Sequence, residues 1–465
     1  MKLRKWQTEC VTKALYHYKY TNKHFLCLAT PGSGKTIMAA EVAYQLYEQD
    51  KIDFVLCFSP STTVSENIKF TFIKRFSLRF DGVIGAIGCS YTYQSILFLK
   101  PDFWQLLEKS RVLVVFDEIH HCSGTSSENS NVWGHEIIQN IQHQASYTLA
   151  LTGTPWRSDK SPIVLSNYAN IDNKITCDYA YGLKDAVNDG VCRNPKIVLI
   201  DNEKISFTEE EKESEIFASL KDLLKESKVS YSSIISNYDA VLHILTRGAK
   251  KLSGIRDVTP NAGGLVVASS IKHAKFIFDI LRKDLNQSAV LVTYKQVKPS
   301  DIIENFRYSN IQWIVSVGMV SEGTDIPRLQ VCCHLSHVKT ELYFRQVLGR
   351  ILRVNHQLNQ DAWLYTFAEP KLSDFANRID IELPNAEVCF KEYFPDNMTS
   401  EKNHVESEVV DLNTDYFNPD KTNPLSGVVL NFEPIKEINN TAISYNFEIL
   451  GSYREQVIAT FNSPF

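Results

Sequence analysis

Short apolar runs recur along this chain between polar, helix-forming stretches, and they set its architecture before any motif is considered. Phe25–Leu28, Phe54–Phe58, Arg111–Phe116 and Tyr147–Leu151 read as buried strands, because such runs have the length of a strand and are too short for a buried helix. Leu3–Gln7 opens a helix ahead of the first run, and another helical pattern begins at Thr36. Apolar spacing at Ile68, Phe72, Ile73 and Phe76 suits a helix packed on a sheet with its charges in water. From about Asp178 the pattern restarts. Tyr181–Gly190 reads as a short helix with a glycine stop, and Pro195–Ile200 as the first strand of another sheet. Gly263–Ala268, Ala289–Thr293 and Trp313–Val317 add strands, with helices at Ile271–Leu281 and Ser300–Tyr308. Alternating strand and helix predicts an α/β fold with parallel sheets covered on both faces. The expected division is residues 1–178, then 179–370 with a polar-faced helical connector at 205–255, then a C-terminal extension, 371–465. Within the extension Asp396–Pro424 is rich in Asn, Asp, Glu and Ser and reads as loop, whereas Ile443–Phe461 returns to apolar spacing and should pack back on a domain.

Composition narrows this picture. Of 465 residues 44% are hydrophobic and 22% charged, the balance of a soluble globular chain. No apolar run approaches the roughly 18 residues of a membrane span, and no signal-peptide core follows Met1–Trp6. A cytoplasmic location and no membrane partner are therefore expected. The ten cysteines show no Cys-x-x-Cys pair, and Cys27, Cys57, Cys332 and Cys333 lie in apolar runs, so buried reduced thiols are expected and a zinc site is not. A net charge of -5 gives no global attraction to nucleic acid, which leaves a local groove as the only electrostatic route.

Candidate chemistry begins at Ala29-Thr30-Pro31-Gly32-Ser33-Gly34-Lys35-Thr36, between a strand and a helix. Gly32 and Gly34 allow a tight turn that presents N–H groups to a polyphosphate, with the helix start on the same anion. Lys35 can reach the β/γ-phosphates and the Thr36 hydroxyl can ligate Mg²⁺. Upstream, the Gln7 amide could read an adenine edge while Arg4 or Trp6 covers the ring face. The Arg111–Phe116 strand ends in Asp117-Glu118-Ile119-His120, which makes Asp117 the metal-side acid and Glu118 the group that polarises water. Ser59 and Ser61 follow the second strand, where α/β sheets place ligands, although Ser61 is equally a helix cap. The basic and aromatic stretch 67–80 could stack single strands, but its spacing favours a packed helix. His121 and Cys122 have no partner pair at metal-ligand spacing. Thr152 and Thr154, on a tight turn, can couple one site to another by switching hydrogen bonds. Arg350 and Arg353, three apart, should project from one side of a helix.

Taken together, Gln7, Ala29–Thr36, Ser59–Ser61, Thr92–Gln94, Asp117–His120 and Thr152–Thr154 resemble the motifs of superfamily 2 helicases in order and separation. Leu-Arg-x-Trp-Gln, Thr-Tyr-Gln-Ser and Thr-Gly-Thr-Pro-Trp-Arg point to the restriction-enzyme (type III restriction subunit)-like DExH branch. Ala29 departs from the strict P-loop glycine, as helicase P-loops commonly do. Val317–Pro327 is similar to helicase motif V, and Gln346-x-x-Gly349-Arg350-x-x-Arg353 to motif VI. The resemblance covers residues 1 to about 370. It implies two tandem RecA-like domains, with ATP and Mg²⁺ as cofactors bound between them. Lys35, Asp117, Glu118, Gln346, Arg350 and Arg353 would be catalytic, the two arginines as fingers. Arg4, Gln7, Pro31, Gly32, Ser33, Gly34, Lys35, Thr36, Gly323 and Asp325 would hold nucleotide, and Thr36 and Asp117 the Mg²⁺. Ser59, Ser61, Thr92, Gln94, Ser269, Ser270 and Thr324 would hold nucleic-acid phosphates, while His120, Thr152 and Thr154 couple the two sites. The implied activity is an ATP-dependent helicase or translocase, with DNA favoured over RNA. An RNA helicase of the same fold, or a nucleic-acid-sensing ATPase that recruits a partner nuclease, are the alternatives. A protein partner could dock through the C-terminal extension.

Overall fold

The computed structural model describes residues 2–126, 128–157, 159–168, 175–209, 213–296, 298–318, 326–355, 361–379 and 445–459. Six strands form the first sheet: β1 (His24–Ala29), β2 (Phe54–Ser59), β3 (Gly88–Thr92), β4 (Val112–Asp117), β5 (Tyr147–Thr152) and β8 (Tyr179–Tyr181). The short strands β6 (Asn167–Tyr168) and β7 (Ile175–Thr176) pair only with each other. The order β3-β2-β4-β5-β1-β8 is parallel throughout. Side chains alternate across such a sheet. Phe25, Cys27, Val55, Cys57, Val115 and Leu149 enter one core, and Leu26, Leu56, Phe58, Val114, Phe116 and Ala150 the other. Both faces are thus buried, which is why these strands read as unbroken apolar runs. The carboxyl ends of β1, β4 and β5 are brought side by side, and each carries a segment that the sequence marks as chemical.

The second lobe takes in β9 (Asn194–Asn202), then β10 (Ile205–Glu209) and β11 (Glu215–Phe217), then β12 (Gly263–Ala268), β13 (Ala289–Val292), β14 (Trp313–Ser316), β15 (Leu329–Leu335) and β16 (Asp361–Phe367), and finally β17 (Tyr445–Ile449) and β18 (Tyr453–Ala459). Its main sheet runs β13-β14-β12-β15-β16-β9-β18, parallel except for β18, which is antiparallel to β9. β10, β11 and β17 form a small antiparallel sheet. The terminal apolar stretch therefore does pack back, as an edge strand; Asp396–Pro424 lies outside the described residues.

The 205–255 connector departs from expectation. It begins with β10 and β11, and its long helix, Tyr238–Arg256, carries two faces: Asp239, Thr246 and Lys250 are exposed, while Ala240, Val241, Ile244, Leu245, Leu252 and Ile255 are buried. These residues repeat at three, four and seven positions, a stripe that the charged residues between them conceal in the linear sequence. Gly248 sits on the stripe where a Cβ would come 2.7 Å from Cys333 Sγ and 3.2 Å from Trp313, so this helix lies unusually close to the sheet. Among the described residues no helix is long and apolar enough to cross a membrane.

Candidate functional site

The chain leaves β1 into a loop where Gly32 (φ +82°) and Gly34 (φ +95°) are left-handed, a conformation glycine adopts without the Cβ penalty. Gly34 precedes the Lys35–Glu48 helix, so the unpaired N–H groups of its first turn open onto the loop. Two upstream side chains brace this loop from behind. Gln7 Nε2 donates to the Gly34 carbonyl at 2.9 Å and Gln7 Oε1 accepts the Arg4 N–H at 2.8 Å, while Arg4 Nη1 donates to the Ser33 carbonyl at 2.6 Å. Both ends of the Gln7 amide are thus occupied by backbone. Trp6 does not cover a ligand face: it is 2% exposed and stacked on Tyr181, centroids 4.7 Å apart. An aromatic on a helix start serves a core or a ligand equally well, and here the core took it.

Lys35 Nζ donates to the Ala29 carbonyl at 3.1 Å and pairs with Glu118 Oε1 at 3.1 Å. Glu118, just past β4, has a left-handed backbone (φ +52°, ψ +54°), which turns its carboxylate toward Lys35 and toward the Gly153 N–H, 3.1 Å from Oε2. Burial pushes this carboxyl up, but Lys35, His120 and the Gly153 amide outweigh it and hold it at about 2. Asp117 goes the other way: burial first, then the Glu118 charge, raise it to about 7. Its Oδ1 is buried with no hydrogen-bond partner. A buried, unsatisfied carboxylate oxygen beside a P-loop suits a divalent cation, and Thr36 is the second residue of the adjoining Lys35–Glu48 helix.

His120, Thr152 and Thr154, the three residues expected to couple the sites, converge. His120 Nδ1 lies 3.0 Å from Thr152 Oγ1 and 3.5 Å from Thr154 Oγ1, and 3.4 Å from Glu118 Oε2. The Thr152 hydroxyl donates to the Thr154 carbonyl and accepts the Thr154 N–H. Burial, reinforced by His121, lowers His120 to about 3, so its ring is neutral.

The second lobe lies directly on the loop. A Cβ on Gly32 would stand 3.1 Å from Arg353 Cγ, and one on Gly349 would stand 3.0 Å from Pro31 Cβ. The helix that carries Gln346 and Arg350 spans Glu341–Ile351 and ends with Leu352 as its cap. Arg353 is therefore not on one helix face with Arg350; it lies beyond the helix, in a β-bridge with Cys192. A three-residue spacing shares a face only while the helix continues, and this one stops first. Sequence reasoning missed two residues here: the Arg345 guanidinium sits 5.3 Å from the Trp156 ring centroid, joining the turn after β5 to the Glu341–Ile351 helix. Trp156 lies inside the Thr-Gly-Thr-Pro-Trp-Arg motif and Arg345 immediately precedes the motif that starts at Gln346, and that placement was the available signal.

The nucleic-acid set is less uniform. Ser59 is fully buried, its hydroxyl donating to the Ser61 and Tyr91 carbonyls at 3.3 and 3.4 Å. It faces the protein and not a ligand, because the last residue of β2 points between β3 and the next helix. Ser61 caps that helix, accepting the Val64 N–H at 3.4 Å. Thr92 Oγ1 is 2.9 Å from Ser95 Oγ, and Gln94 is partly exposed. Across the cleft, Ser269 Oγ is 2.8 Å from His273 Nδ1 and Ser270 caps the Ile271–Asp279 helix. Gly323, Thr324 and Asp325 lie outside the described residues. In the 67–80 stretch the packed-helix reading holds: Phe72 and Phe76 are buried, and Arg75 pairs with Glu41 at 2.5 Å and covers the Tyr44 ring.

Two parallel-sheet lobes meeting at a P-loop, with acids on one side and an arginine from the other, define the tandem RecA-like class. Residues 1–157 match the family model for the Type III restriction enzyme, res subunit, and residues 249–355 match that for the Helicase conserved C-terminal domain. Through these two matches the chain resembles superfamily 2 helicases of the restriction-enzyme-like branch. An uncharacterized protein of Mycobacterium leprae (strain TN) is 28% identical over 398 residues, 82% of this chain and 64% of the relative. The chain thus spans under two thirds of that relative's length. Two solved structures share the fold. "The fragment structure of a putative HsdR subunit of a type I restriction enzyme from Vibrio vulnificus YJ016" has a TM-score of 0.56 at 17% identity, covering 81% of this chain and 66% of that one. "ATP-dependent Type ISP restriction-modification enzyme LlaBIII bound to DNA" has a TM-score of 0.53 at 15% identity, covering 83% and 30%.

Proposed function

We propose that this chain hydrolyses ATP between its lobes and uses the cycle to move along nucleic acid, DNA in preference to RNA, with little sequence specificity. The observation that carries this reading is Arg353 of the second lobe laid against Gly32 of the P-loop: both lobes contribute to one phosphate site, so γ-phosphate contacts can hold them together and hydrolysis can release them. The residues fit a magnesium ion, which Thr36 and Asp117 would hold and which would offset charge on the phosphates. Lys35, now on Glu118, is positioned to turn to the β/γ-phosphates, which frees Glu118 to orient and deprotonate water; Arg353 and Arg350 meet the charge that develops. Gln7 and Arg4 keep the loop in its cradle shape. Ser61, Thr92 and Gln94 on one lobe and Ser269 and Ser270 on the other flank a track at the carboxyl ends of the strands, and contacts to phosphate through amides and hydroxyls carry no base code. The preference for DNA is supported by the restriction-enzyme relationship and by the DNA-bound state of the LlaBIII structure.

The test is ATP turnover by the purified chain with single-stranded DNA, duplex DNA or RNA added in turn, and Lys35→Ala as control. Stimulation by DNA that the control abolishes is expected. Stimulation by RNA alone replaces the DNA preference, and turnover that Lys35→Ala leaves intact overturns the site.

A further inference from the structure

The second lobe carries a groove that the ATP site and its strand track do not use. It has a volume of about 420 Å³ and is lined by Arg247, Lys250, Lys251, Asp361, Trp363 and Tyr365, within the size range of small-ligand sites. It opens at the amino ends of the strands: Asp361 begins β16, Gly248 lies over Val331 and Trp313 near the starts of β15 and β14, and Arg256 donates to the carbonyl of Ala262 just before β12. Ser269 and Ser270 follow the opposite end of β12.

Its charges do not cancel internally. Asp361 is taken by Lys196 at 2.8 Å, and Glu455 by Arg247 at 2.5 Å. Lys250 and Lys251 have no acidic partner among the described residues; Lys250 is exposed, and Lys251 Nζ rests 3.8 Å from the Trp363 ring centroid. Lys196 Nζ lies 5.1 Å from the same ring. An indole set among ammonium groups, with two cations left over, is the combination that phosphates and stacked bases use together. A carboxylate peptide would engage the lysines and leave the indole idle.

We propose that this groove is a second nucleic-acid site, in which Lys250 and Lys251 hold backbone phosphates and Trp363 offers its ring to a base. It rests on the nucleic-acid reading above and extends it: a strand leaving the cleft, or the second strand of a duplex, is gripped on the far end of the lobe, which lengthens the footprint beyond the inter-lobe track.

The experiment measures anisotropy of fluorescein-labelled single-stranded DNA, long (about 40 nucleotides) and short (about 10), with the full chain and with Lys250→Glu/Lys251→Glu. The variant should bind the long strand roughly tenfold more weakly, and its salt slope should be shallower by about 1.4, the value for two lost phosphate contacts on a single strand. Affinity for the short strand should change far less. Trp363→Ala should weaken the long strand and Trp363→Phe restore it. Melting temperatures check folding, and Lys250→Gln/Lys251→Gln replaces the charge reversal should that melt early. Unchanged long-strand affinity and slope in a variant whose parent binds DNA overturn the second site alone. Failure of the parent to bind any strand overturns the nucleic-acid reading with it. Binding of labelled polyglutamate that Lys250→Glu/Lys251→Glu abolishes, with DNA affinity unchanged, reassigns the groove to an acidic protein.

Discussion

At Glu118 the backbone and the side chain serve one purpose. A left-handed non-glycine residue costs about 1–2 kcal/mol, and what it achieves is a carboxylate that meets Lys35, Gly153 and His120 together. Glu118→Gln should therefore bind ATP while its turnover falls by about 10²-fold or more, measured by nucleotide binding beside steady-state hydrolysis; an active variant removes Glu118 from water activation. Gly32 is constrained twice, by φ +82° and by Arg353 at 3.1 Å. Gly32→Ala should thus impair turnover, and because the added methyl meets Arg353, combination with Arg353→Ala should be non-additive in a double-mutant cycle. The P-loop and the acid pair were legible at this scale, since their chemistry depends on consecutive residues. Ser59 and Trp6 were not, because whether a hydroxyl or an indole faces ligand or core is decided by neighbours distant in the chain.

Elements show the same division. The Tyr238–Arg256 helix seats Gly248 against Cys333, and Gly248→Ala should destabilise the second lobe by about 1–3 kcal/mol through overpacking, read as an earlier melt; an unchanged or higher melting temperature contradicts the close packing. Two buried histidines in this lobe, His273 on the Ile271–Asp279 helix and His334 in β15, are both lowered to about 4, by burial above all. Folding favours their neutral form, whereas the unfolded chain takes up protons from about pH 6.5 downward. Their contribution is present above pH 6.5 and is lost as pH falls toward 4, on the order of 1–3 kcal/mol per histidine. Denaturant midpoints should fall from pH 7 to pH 5; a flat profile would mean the rings are protonated in the fold. The strands were readable from their apolar runs, but the stripe on the Tyr238–Arg256 helix was hidden among charges, and β10 and β11 are short pairings that need β17, more than two hundred residues away.

For the whole molecule the decisive surface lies between the lobes. Gly349 on Pro31, Arg353 on Gly32 and Arg345 over Trp156 are three independent touches. Gly349→Val should separate the first of them, lowering turnover while nucleotide still binds the first lobe, and a smaller effect on affinity than on rate is the signature to look for. Trp156→Ala removes a link worth about 1 kcal/mol at a partly buried cation–π pair, and should lower nucleic-acid-stimulated turnover several-fold more than basal turnover; equal loss in both would assign Trp156 to folding alone.

The parallel-sheet class, the P-loop, the acid pair, the Thr152–Thr154 turn and an arginine-bearing second half are readable from residue order alone, because each depends on local periodicity or on residues adjacent in the chain. That Arg353 reaches the loop from beyond its helix, that Ser59 turns inward, that Gln7 grips backbone, and that Lys250, Lys251 and Trp363 share a groove emerges only in the folded chain. Those facts are set by where two lobes and distant strands come to rest, and side-chain direction there follows packing between segments that the linear order keeps apart.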